Sequence, residues 1–196
     1  MSANNNGKAY IITYTGKQFF FLRAQPQDIS IIDIAHALSM QCRWTGHCKF
    51  HYSIAQHAYY CSYIGPEESA FERLNHDDSE AYMGDMNRPL KHYTEAGVAY
   101  RQQEAKLERT IKEAFGIHPV EHPSVGVADE IMLWAEKRQL LPVTTWEGFS
   151  ATACDLGKSS EEPDPNSGPI IEQWTPEQAE ANFLRRWYEL QNRRIN

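Results

Sequence analysis

Glu67-Glu68-Ser69-Ala70-Phe71-Glu72-Arg73-Leu74-Asn75-His76-Asp77-Asp78-Ser79-Glu80-Ala81-Tyr82-Met83 is the stretch on which the reading turns. Ala70, Leu74 and Ala81 recur at helical steps, which predicts a helix over 67–83, broken by Gly84. Asp77 falls in the same apolar stripe. An unpaired carboxylate on a buried face costs several kcal/mol, so something must compensate it. A divalent cation reverses the penalty. His76 projects about 100° away around the same helix, offering a nitrogen beside the oxygen.

Helices on either side carry the same anomaly. Over Ser53–Ile64 the stripe is Ile54, Ala58 and Cys61, and His57 lies on it before Gly65-Pro66 closes the segment. Over Ser124–Leu141 the stripe is Val125, Ala128 and Met132, with Asp129 on it and Glu136 further along the same face. A single histidine on an apolar face is most often a hydrogen-bonded core residue. Four ligand-type side chains on three inward faces are harder to explain that way.

The remaining chain reads as more helix. Ile31, Ile34, Ala35, Leu38 and Cys42 recur at helical spacing, Asn87–Lys91 reads as a loop, and Glu95–Phe115 is a long helix ended by Gly116. Thr175-Pro176-Glu177-Gln178 is a capping box with proline at the first helical position, opening a helix to about Arg194. β-Formers on both sides of Thr15-Gly16-Lys17-Gln18 predict a small hairpin over 9–22. Asp155–Pro169, rich in Ser, Gly, Pro and acids, reads as a mobile surface loop. The expectation is one all-α domain, residues 1–196, with a catalytic helical core over 28–141 and a β-decoration at the N-terminus.

Composition narrows the function classes. The 196 residues are 41% hydrophobic and 23% charged, ordinary for a folded protein. A net charge of −7 disfavours binding to duplex nucleic acid through its phosphates. No run is apolar enough to span a membrane, and Met1–Lys8 carries no signal core, so a cytoplasmic location is expected. Cys42, Cys48, Cys61 and Cys154 make no CxxC pair and are expected to be reduced bystanders.

Asn75-His76-Asp77-Asp78-Ser79-Glu80-Ala81 resembles the signature of the HD superfamily of metal-dependent phosphohydrolases. Ser53-Ile54-Ala55-Gln56-His57 resembles the segment that supplies the family's first histidine, and Val127-Ala128-Asp129 the one that supplies its last aspartate. Asp33 to Ser39, Cys42-Arg43-Trp44 and Gly84-Asp85 through Lys91 are similar to the branch of small bacterial 5′-deoxynucleotidases and phage dATP triphosphohydrolases. The match covers roughly residues 28–141. It implies an HD helical bundle, one divalent metal and a phosphate-ester substrate.

The resemblance carries roles to particular residues. His57, His76, Asp77 and Asp129 become the metal ligands, and the N and O donors suit Zn, Co, Mn, Fe or Ni better than Ca. Glu80 becomes the group that holds the attacking water or moves its proton, alongside Asp77. Arg43, Lys91 and Arg88 are expected at substrate phosphates, with Mg²⁺ as an optional companion, and Trp44 on a base or sugar face. His47 is an alternative ligand.

The expected activity is hydrolysis of deoxynucleotides, with deoxyadenylate first: dATP to deoxyadenosine plus triphosphate, or dAMP to deoxyadenosine plus phosphate. A broad deoxynucleoside monophosphatase and a non-catalytic nucleotide-binding module are the alternatives. The aromatic hairpin residues Tyr10, Tyr14, Phe19, Phe20 and Phe21 predict a homo-oligomer.

Overall fold

The structure is a computed structural model that describes residues 9–142 and 168–195. Most of the Asp155–Pro169 loop, through residue 167, lies outside the described residues, as does Cys154. The chain is mostly helical, with a small antiparallel sheet at its N-terminal end. Strands β1 (Ile11–Ile12) and β2 (Gln18–Phe19) pair Ile11 with Phe19 and Ile12 with Gln18. They are shorter than the expected hairpin, and Phe21 already enters a 3₁₀ turn. Thr15 fastens the hairpin tip to the first helix through two hydrogen bonds to the Asp33 carboxylate, at 2.7 and 3.0 Å.

Helices α1 (Ile31–Met40), α2 (Ile54–Cys61), α3 (Ala70–Leu74), α4 (Glu80–Met83), α5 (Arg88–Tyr93), α6 (Glu95–Phe115), α7 (Ser124–Leu140) and α8 (Pro176–Ile195) follow. The centre is α2, which packs against α1, α3, α7 and α8 and buries Ile54, Ala55, Gln56, His57, Ala58 and Cys61. The main core joins Ile34, Leu38, Ile54, Leu74, Phe183 and Trp187, and a second cluster joins Tyr52, Cys61, Met132 and Leu140. Fully burying a side chain such as Phe183 contributes about 2–3 kcal/mol. The capping box at α8 is formed reciprocally: Gln178 N–H donates to Thr175 Oγ1 and Thr175 N–H to Gln178 Oε1. Among the described residues no helix is long and apolar enough to cross a membrane.

Three expectations need correction. The helix over 67–83 is not continuous: α3 ends at Leu74, and Asn75–Ser79 form a turn before α4. Asn, Asp, Asp and Ser in five residues are poor helix formers, and the backbone here makes bonds between residues three apart, such as Glu80 N–H to Asp77 O at 3.0 Å. Asn75 Nδ2 donates to Phe71 O at 2.6 Å, capping the last turn of α3.

Second, 87–91 is not a loop. Asn87 Oδ1 accepts from Leu90 N at 3.2 Å and Pro89 occupies the first turn, so the segment nucleates α5. Third, Phe19 is not an exposed hairpin aromatic. It is buried in the core and stacks on Tyr82 at 3.9 Å.

Candidate metal centre and its cavity

Each proposed ligand is placed by a local device. Ser53 caps α2 by accepting from Gln56 N at 3.1 Å, and this sets the phase that turns His57 and Cys61 inward. His57 is fully buried, and its Nδ1 meets Glu136 Oε1 at 2.5 Å. His76 sits on the Asn75–Ser79 turn, and its Nδ1 donates to Arg73 O at 2.7 Å. A carbonyl only accepts, so the His76 proton is on Nδ1 and Nε2 presents its lone pair. Both imidazoles are thereby oriented through the nitrogen away from the cluster, as metal-ligating histidines usually are.

The free edges converge. Asp129 Oδ1, from α7, lies 3.3 Å from His57 Nε2, and Asp77 Oδ2 lies 3.7 Å from the same nitrogen. Asp77 Oδ2 is 3.2 Å from His76 Nε2, yet that buried nitrogen has no hydrogen bond. Two donor atoms side by side, neither serving the other, is the arrangement of co-ligands. Two imidazole nitrogens and two carboxylate oxygens suit a divalent transition metal, so the residues fit such an ion.

Charge agrees with the geometry. Burial alone would raise the Asp129 carboxyl, but the hydrogen bond and charge of His57, with His76 and Arg43, hold it far below the ordinary range. Burial and Arg43 oppose a charge on His57, and the surrounding acidic groups, Glu136 and Asp129 among them, outweigh both and hold its pKa well up. The acidic surroundings of His57 thus favour positive charge at this point.

Cys61, expected as a reduced bystander, is a free thiol and lies beside the two histidines. His57, Cys61 and His76 form a group whose donor atoms all lie within 4.8 Å of one another, and Cys61 Sγ is 3.4 Å from His57 Nε2. Burial raises the thiol's pKa, which makes Cys61 a poorer anionic donor than the carboxylates of Asp77 and Asp129.

A cavity of about 460 Å³ opens on the cluster. Asp77, Asp129 and Glu80 line it, with Arg43 and Trp44 along one part and Arg88 and Lys91 of α5 along another. Glu80 is buried and its Oε2 has no partner. Burial, then Asp77 and Asp85, raise its carboxyl well above the usual range, against Arg43 and Lys91. Lys91 is engaged by Glu104 at 2.8 Å. Arg43 is engaged as well, by Glu136 at 3.1 Å and Asp77 at 3.4 Å, so its charge partly offsets the site's carboxylates. Trp44 and Thr45 both take left-handed backbone angles, φ +57° and +52°, a strained pair of the kind that clusters at binding sites.

The structure thus brings the four ligand candidates, Glu80, Arg43, Trp44, Arg88 and Lys91 to one place. His47 is exposed on the turn after Trp44, and His51 bonds Ser39 O at 3.0 Å. Sequence reasoning assigned no role to Glu136 or Asp78. Glu136 was detectable as the residue two turns after Asp129 on the same face. Asp78 carried no such signal; it is buried, both its carboxylate oxygens are without partners, and burial, then Asp77, raises its carboxyl well above the usual range.

No family model matches the chain. It is 43% identical over 132 residues to the uncharacterized protein YfdR of Escherichia coli K12, a match that covers 67% of this chain and 72% of that one. It is 27% identical over 196 residues to an uncharacterized protein of Rhodobacter capsulatus, covering 90% of this chain and 92% of that one.

Proposed function

We propose that this chain, which belongs to the same family as YfdR of Escherichia coli, is an HD-type, divalent-metal-dependent phosphohydrolase of deoxynucleotides. The observation that carries the reading is the buried, unpartnered Nε2 of His76 beside Asp77 and His57, next to a cavity that Asp77 and Asp129 line together with basic and aromatic residues. His57, His76, Asp77 and Asp129 would hold one ion, with Zn²⁺, Co²⁺ or Mn²⁺ suited to the donors. Such an ion supplies an acidified water and polarises a phosphoryl oxygen.

The chain's own residues do the rest. Glu80, at the cavity with an unpaired oxygen, takes the proton of the water that attacks the α-phosphorus. Lys91 and Arg88 on α5 face the phosphates, and Arg43 lines the cavity beside Asp77. Trp44 offers its face to the base or sugar. The O5′–phosphorus bond breaks and the leaving O5′ takes up the proton that Glu80 accepted, so dAMP gives deoxyadenosine and phosphate, and dATP gives deoxyadenosine and triphosphate.

The test is a turnover panel of the four dNTPs, the matching monophosphates and ATP, with Co²⁺, Mn²⁺ or Zn²⁺ and products separated by chromatography. Deoxyadenylate is expected to turn over fastest. Equal rates on all deoxynucleoside monophosphates would replace it with a broad 5′-nucleotidase. Binding without hydrolysis under any metal would leave a nucleotide-binding module.

A further inference from the structure

One carboxylate belongs to both halves of the site. Glu136 is fully buried on α7. Its Oε1 takes His57 Nδ1 at 2.5 Å. Its Oε2 takes Arg43 Nε at 3.1 Å and Trp44 Nε1 at 2.9 Å. His57 is a proposed metal ligand, whereas Arg43 and Trp44 line the cavity. Arg43 then reaches Asp77 at 3.4 Å, closing a loop from ligand to wall and back to ligand.

The Arg43–Gly46 turn needs such an anchor. Trp44 and Thr45 hold left-handed angles that bulky and β-branched residues rarely adopt, and Glu136 Oε2 accepts from the two side chains at its start. The acceptor is fully buried and its carboxyl is held below the usual range against its burial, by Arg43 and then His57, so these bonds are made away from water.

From this geometry, and resting on the metal-dependent reading above, we infer that Glu136 is a positioning residue that couples the metal centre to the nucleotide wall. A change at Trp44 is felt at the metal, although Trp44 touches none of the four ligands in the hydrogen bonds and ion pairs given above. The carrier is a shared acceptor whose two oxygens cannot move independently.

The experiment uses the full chain, stripped of metal and titrated with Co²⁺ alone. The visible absorption of the bound ion reports both affinity and ligand geometry. Four forms are compared: wild type, Glu136→Gln, Trp44→Phe and the double variant, with circular dichroism confirming the fold of each. Glu136→Gln is expected to weaken Co²⁺ binding by about 10–100-fold and to alter the spectrum. Trp44→Phe, which removes one N–H and keeps a ring, is expected to weaken it about five-fold in the wild type and not at all beside Glu136→Gln.

Trp44→Phe with unchanged Co²⁺ affinity overturns the coupling, and so does an equal loss in both backgrounds. If Glu136→Gln does not fold, the Trp44→Phe result alone decides by the same criterion. A wild type that takes up no Co²⁺, Mn²⁺ or Zn²⁺ overturns the metal-dependent reading itself, and the coupling with it. Uptake without coupling overturns only the coupling.

Discussion

Two polar knots lie inside this molecule, and they are satisfied to different degrees. Arg73 is a fully buried cation with all five N–H groups placed: Nε on Cys61 O, Nη1 on the hydroxyls of Ser69 and Ser124, and Nη2 on Ser62 O and Pro66 O. It needs nothing further, and its work is to tie the α2–α3 connection to α7. The knot three residues later is incomplete. His76 Nε2, Glu80 Oε2 and both Asp78 oxygens are buried without partners. Buried polar atoms without partners are costly, so a chain that satisfies Arg73 completely and leaves these open is keeping a place for something else.

The largest expected effect separates the knots by function. Asp77→Ala should abolish Co²⁺ uptake and lower phosphate release on the order of a thousandfold, while the fold persists by circular dichroism. Activity and metal content close to wild type would sink the assignment. Arg73→Met should do the reverse. It removes five hydrogen bonds from a buried cluster and is expected to cost about 2–4 kcal/mol in urea unfolding, yet leave the Co²⁺ spectrum of the folded fraction unchanged.

Metal itself should sharpen the contrast. At roughly a hundred times its Kd, an ion that binds only the folded chain adds about 2.7 kcal/mol to unfolding. Thermal melts should show that gain in wild type and Arg73→Met and lose it in Asp77→Ala. A gain that survives Asp77→Ala would place the ion elsewhere.

The smallest effect is one of pH. In the metal-free chain the Glu80 carboxyl titrates above its ordinary 4.5, held up by burial, Asp77 and Asp85. Ionising it costs the folded state more than the unfolded one. That cost is absent below the unfolded value, grows as pH rises toward the folded one, and is constant above. Glu80→Gln should therefore raise the Tm of the metal-free chain near neutrality and leave it unchanged in acid. A lower Tm at neutrality would mean that Glu80 is stabilising as an anion.

Much of this was legible in the sequence. The inward positions of His57 and Asp129 followed from helical spacing, because α2 and the start of α7 keep their period through the site. The same reasoning failed at Asp77. It read one helix through residues 75–79, where backbone bonds between residues three apart replace the helical ladder. The ligands still meet, but from a turn rather than a helix face. Arg43 and Trp44 were placed near substrate by resemblance, yet nothing local in the sequence showed that Glu136 binds both. That contact spans more than ninety residues and depends on how α7 lies against the turn after α1. Lys91 was expected on a loop. Its helix is fixed by the backbone approach at Gly97, where any Cβ would run into the carbonyls of Leu90 and Lys91.

Trp187 donates its indole N–H to Asn75 Oδ1 at 3.0 Å, from a helix that begins more than thirty residues beyond α7. Asn75 is the residue that ends α3 and starts the turn bearing His76 and Asp77. The stretch that carries every proposed ligand, 57–129, therefore leans on a helix outside it. Cutting the chain after α7 would remove a partner of the turn that bears His76 and Asp77. The last helix acts like the keystone of an arch, set last in the chain and pressing on the stones that were laid first.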